Sequence, residues 1–178
     1  MSQPRRIPAL LALAVVVGGT AYSVAAPADD DVTFVKVSYE DLLARIAANK
    51  GAKLTIVDAW ATWCTPCMEN FPHVVEMHKK YAKHGLAVVS LSLDDPDQPK
   101  KVAQAKAFLK EKGATFANYY LSESSEAAFE KLNISAIPAV FLFGPDGKEV
   151  KRFSFEDPDK PFTYEQVEAA VKEKLGVK

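Results

Sequence analysis

The chain has 178 residues, 48% of them hydrophobic and 25% charged, which suits one globular domain plus a short extra segment and excludes a disordered chain. Its formal net charge of −1 gives no electrostatic reason to expect a nucleic acid or an anionic membrane surface as partner.

Residues 1–25 read as a secretory signal peptide. Arg5 and Arg6 precede an apolar run over 7–17, and small residues close the segment at Ser23-Val24-Ala25. Removing it takes away two arginines and no acid, which leaves a mildly acidic remainder. The alternative is an uncleaved anchor, since residues 7–26 approach the about 20 needed to span a bilayer. Residues 26–31 form a polar linker, and 32–178 form the domain.

The first strand is expected over 32–37. Ser38 then opens a helix, with Asp41 at capping-box spacing and Leu42, Leu43 and Ile46 on one face. Residues 54–60 are a near-continuous apolar run broken by Asp58, as in a buried central strand. The only two cysteines follow, in a helix read over about 64–83 that Gly85 stops. Next come a buried strand over 86–93, a turn-rich loop over 94–99 and a helix over 101–112. A short strand over 115–121 and a helix over 124–132 lead to strands at 139–143 and 149–155, joined by a turn at Pro145-Asp146-Gly147. Thr163 begins the last helix, with Gln166 at the capping-box position and Val167, Ala170, Val171 and Leu175 facing inward. The order β-α-β-α-β-α-β-α-β-β-α predicts an α/β sandwich around a mixed sheet.

Cys64 and Cys67 carry the chemistry. A disulfide between them closes too small a loop to staple the fold. Haem attachment needs a histidine after the second cysteine, and Met68 stands there. A structural zinc site needs four ligands; there is no third cysteine, and His73, His78 and His84 are not at i, i+4 spacing. At a strand-to-helix junction, unpaired N–H groups and the helix dipole favour a thiolate at Cys64. Cys67, one turn on, can resolve a mixed disulfide formed on Cys64. Pro66 loses no hydrogen bond in a first helical turn, and with Thr65 it forms the loop between the sulfurs.

The run Val57-Asp58-Ala59-Trp60-Ala61-Thr62-Trp63-Cys64-Thr65-Pro66-Cys67, then Pro72, then Ile137-Pro138 ahead of 139–143, resembles the thioredoxin superfamily in its TlpA-like exported branch. The resemblance covers residues 32 to 178. It implies a thioredoxin fold, with a mixed central sheet, helices on both faces and an insertion between Leu93 and Ile137, before the cis-proline strand. It places Asp58 as a buried acid behind Cys67, able to take its proton. It makes Pro138 the cis-proline facing the disulfide, Ile137 the backbone edge for substrate, and Trp63 the apolar lip beside Cys64. Trp60 is as readily core packing as function. The lysine that thioredoxins keep beside the acid is replaced by Ser90.

Thr65 carries no charge, unlike the histidine of strong oxidants, so a protein-disulfide reductase or carrier is expected rather than an oxidase. No cofactor beyond the redox-active cysteine pair and no metal is implied. The expected partners are protein thiols and disulfides and a membrane thiol electron donor, in an exported or periplasmic setting. A thiolate copper chaperone and a thiol peroxidase are the alternatives. The peroxidase is disfavoured because Ala61 stands where peroxiredoxins place a threonine.

Overall fold

The computed structural model describes residues 32–155 and 159–178; the expected signal peptide and linker lie outside the described residues. Among the described residues, six strands form one sheet: β1 (Val35–Val37), β2 (Leu54–Trp60), β3 (Leu86–Ser92), β4 (Ala117–Leu121), β5 (Ala139–Phe143) and β6 (Glu149–Phe153). Their spatial order is β1-β4-β3-β2-β5-β6. β1 to β4 run parallel, while β5 is antiparallel to both β2 and β6, so the sheet is mixed as expected. The helices are α1 (Tyr39–Ala48), α2 (Thr65–Tyr81), α3 (Pro99–Glu111), α4 (Ser125–Leu132) and α5 (Tyr164–Leu175).

The extra length between Leu93 and Ile137 has a defined place. It contributes α3, β4 and α4, and β4 slots between β1 and β3. Boundaries shift where a strand runs out of partners. β1 begins at Val35 because only Val35 to Val37 find partners on β4, and β6 stops at Phe153 opposite Val140. α3 starts earlier than expected, with Pro99 in its first turn, where the missing N–H costs nothing.

β2 is buried at every residue, and its alternating side chains serve two layers. On one face Trp60 packs against Phe71 of α2 and Phe108 of α3, with ring centroids 5.3 and 5.1 Å away. Asp58, two residues earlier, points to that same face and meets α5. On the other face Val57 and Phe141 adjoin Leu42 and Ile46 of α1 and Leu132 of α4. The strand that carries Asp58 therefore lies at the centre of a closed core, and the cysteines follow directly from its end.

Candidate active site

Cys64 is the N-cap of α2, with Thr65 and Pro66 in the first turn. Its Sγ is bonded to that of Cys67 across 2.03 Å. Cys67 donates its backbone N–H to Cys64 Sγ at 3.2 Å. In the reduced protein that N–H and the positive end of α2 both stabilise a thiolate at Cys64. Cys64 keeps 5% of its surface exposed and Cys67 none, so only Cys64 can be met by a sulfur from outside. Pro72 sits inside α2 on the exposed side, past the active turn.

The loop leading into the cysteines is pinned from β3. The carboxylate of Asp94, 2% exposed, accepts from Thr62 N at 3.2 and 3.0 Å, from Thr62 Oγ1 at 2.6 Å and from Ser92 Oγ at 2.9 Å. Four donated contacts on one buried carboxylate fix Thr62 two residues before Cys64. Asp94→Ala leaves those donors unpaired and is expected to lower stability by about 2–3 kcal/mol. Urea unfolding checks this, and a loss under about 0.5 kcal/mol contradicts it.

Asp58 is wholly buried. Its Oδ1 accepts the Tyr164 hydroxyl at 2.6 Å, while its Oδ2 has no hydrogen-bond partner. Burial pushes the carboxyl up to about 7, and the Tyr164 hydrogen bond pulls against that rise. Ser90 sits beside Asp58 in register on β3, but its hydroxyl is committed elsewhere, accepting the Trp60 indole N–H at 3.0 Å. Two separate pairs thus stand at this place, Trp60 with Ser90 and Asp58 with Tyr164. Trp60 is core packing. Cys67 and Phe71 share one side of α2 at i, i+4, and Phe71 packs on the sheet face that Asp58 also occupies.

The Ile137–Pro138 peptide bond is cis, and the Ile137 carbonyl oxygen lies 3.7 Å from Cys64 Sγ. Trp63 is 52% exposed, the most exposed of the large apolar residues described. Its ring stacks on Phe129 of α4 at 6.4 Å. A groove of about 750 Å³ opens there, floored by Trp63, Phe129 and Ile134 and rimmed by Glu126 and Glu130. α4 thus builds one wall of the groove beside Trp63, the residue before Cys64.

All the expected site residues gather around the end of β2 and the start of α2. Sequence reasoning missed three contributions. Asp94 stands in a turn-rich run, and Asp95 beside it offers no means of choosing between them. Phe129 was one apolar residue of a short helix. Tyr164 lies 106 residues from Asp58, and no local pattern joins the two.

A family model described as the AhpC/TSA family matches residues 17–151. The thiol-disulfide oxidoreductase ResA of Bacillus subtilis (strain 168) is 27% identical over 99 residues, covering 56% of this chain and 51% of that protein. The chain thus spans about half the length of this curated relative. Among solved structures, one described as a DsbE thiol:disulfide interchange protein of Chlorobium tepidum is 26% identical. It superposes with a TM-score of 0.56 over 71% of this chain and 83% of that one. A thioredoxin family protein from Chlorobium tepidum TLS, 22% identical, gives 0.55 over 72% and 84%.

Proposed function

Because the chain belongs to the AhpC/TSA family and has a thioredoxin-like fold, we propose that it reduces protein disulfides by dithiol–disulfide exchange through Cys64 and Cys67. The observation that carries this reading is the Cys64 sulfur at the cap of α2, bonded to Cys67 and receiving its backbone N–H. The names of the relatives, thiol-disulfide oxidoreductase and thiol:disulfide interchange protein, support the same chemistry.

In the forward direction the Cys64 thiolate attacks one sulfur of a substrate disulfide. A mixed disulfide forms, and the first substrate thiolate leaves. Asp58, as carboxylate, takes the Cys67 thiol proton. The Cys67 thiolate then attacks Cys64 Sγ, the Cys64–substrate bond breaks, and the electron pair leaves on the second substrate sulfur. Two electrons pass from the dithiol to the substrate, and the Cys64–Cys67 disulfide is the product. The Ile137 edge and Pro138 border the sulfur where a substrate strand pairs, and Trp63 supplies apolar contact beside it.

We place the protein outside the cytoplasm on the basic, apolar and small-residue pattern of residues 1–25. No helix among the described residues is long and apolar enough to cross a membrane. In that compartment a membrane thiol carrier returns electrons to the pair. Purified protein should accelerate insulin reduction by dithiothreitol, and no acceleration would refute the proposed activity. Trp63→Ala removes an aromatic contact worth about 1 kcal/mol. It should raise KM for insulin about five- to ten-fold with kcat little changed. An unchanged KM would remove Trp63 from the substrate path.

A further inference from the structure

The acid on β2 has a partner that the family resemblance does not supply. Tyr164 is the first residue of α5, and its position is set from both sides. Thr163 Oγ1 accepts the Gln166 N–H at 3.4 Å, and Gln166 Oε1 accepts the Thr163 N–H at 3.0 Å. This box fixes where the helix begins. The Tyr164 ring, 3% exposed, lies between His73 of α2 at 5.9 Å and Phe162 at 5.7 Å. So held, its hydroxyl meets Asp58 Oδ1 at 2.6 Å and leaves Oδ2 without a partner.

We propose that Tyr164 is a positioning residue of the exchange site: its hydroxyl holds Oδ1 of Asp58 so that Oδ2 stays open to receive the Cys67 thiol proton. The inference rests on the reading of Asp58 given above and deepens it. A carboxylate can accept at both oxygens, and a donor on one fixes its rotamer while leaving the lone pairs of the other available. Donation to the charged form also favours the carboxylate, which opposes the effect of burial. One hydroxyl therefore both aims the base and keeps it ionisable near neutral pH. Tyr164 itself keeps its proton, because burial and the neighbouring Asp58 raise its pKa well above the ordinary value. It acts as a donor and takes no part in the proton transfer.

The groups around Asp58 make a pH test interpretable. α5 offers Tyr164, and α2 packs on the same sheet face, with Cys67 and Phe71 on one side and His73 against the Tyr164 ring. β3 and β5 place Ser90 and Val140 at its register positions, and neither is charged. His73 stacks on the Tyr164 ring, so His73→Gln serves as the control.

The experiment follows the lifetime of the mixed disulfide when the reduced full chain meets oxidised glutathione, by acid quench and mass spectrometry, from pH 5.5 to 9. For the wild type the resolving rate should rise with a midpoint near 7 as Asp58 ionises. Tyr164→Phe keeps the ring and loses only the donor. Its midpoint should move up by about one unit, making resolution at least about five-fold slower at pH 7, with the loss of aim showing as a lower alkaline plateau. His73→Gln should leave the midpoint in place. In an Asp58→Asn background, Tyr164→Phe should change nothing further. An unmoved midpoint in Tyr164→Phe overturns the proposal and reduces Tyr164 to packing. If Asp58→Asn itself keeps the wild-type pH profile, the base assignment of Asp58 fails instead, and the two failures are told apart.

Discussion

Cys64→Ser is expected to abolish insulin reduction, lowering turnover by more than about 1,000-fold. The cap of α2 and the Cys67 N–H at 3.2 Å are placed to stabilise an anion on that atom. They can hold a thiolate, whose ordinary pKa lies near ~8.5, but no helix terminus ionises a serine hydroxyl at neutral pH. Cys67→Ser should behave differently. It retains the reachable attacking sulfur and loses the resolving one, so it should accumulate one substrate equivalent as a stable mixed disulfide. Non-reducing gels with a reduced control measure both outcomes. Retention of wild-type turnover by Cys64→Ser would refute the assignment of roles.

Asp58→Asn should separate activity from stability. If Asp58 is the base for Cys67, as proposed, its removal should cost a factor in the usual range of general-base catalysis, about 100-fold or more. The variant should therefore resolve mixed disulfides at least that much more slowly at pH 8. Stability should move the other way. Burial lifts the Asp58 carboxyl from 3.8 to about 7 in the folded chain. Between those values the unfolded chain has released this proton and the folded chain still holds it, so stability falls as pH rises through the window. The penalty is absent below about 4 and complete above about 7. Asparagine escapes it, keeps an oxygen for Tyr164, and should be more stable than the wild type at pH 8 by about 2–4 kcal/mol. At pH 4 the two should be nearly equal. Thermal unfolding of the oxidised proteins at both pH values checks this. A variant less stable at pH 8 would mean that Asp58 is held in place for packing alone.

Much of the fold was legible because periodicity and punctuation agree. Leu54–Trp60 is found over the range its apolar run marks, as is Ala139–Phe143, and Ser38, Ser124 and Thr163 all cap the helices they precede. The cysteine pair was legible for a physical reason, since a strand that ends in C-x-x-C and continues as a helix puts a sulfur at a helix start. What was not legible is long-range. Nothing near Asp94 tells that it ties back to Thr62, and nothing near Thr163 tells that the next residue reaches β2. The replacement of the thioredoxin lysine by Ser90 was visible, but its consequence was not. The serine pairs with Trp60, and the acid finds its donor on another helix. The wall that α4 adds beside Trp63 was hidden in the same way, because a short amphipathic helix does not declare which strand end it will cover.

If the Cys64–Cys67 pair works as a reductant, as proposed, its reduction potential should lie at the reducing end of the thioredoxin-like range. The loop between the sulfurs carries Thr65 and Pro66, with no charge to over-stabilise the thiolate. Equilibration with glutathione or dithiothreitol buffers should therefore give a value close to the ~−270 mV of thioredoxin. A value near the ~−120 mV of a strong oxidant would make the protein a donor of disulfides instead of a reductase, while leaving its fold untouched.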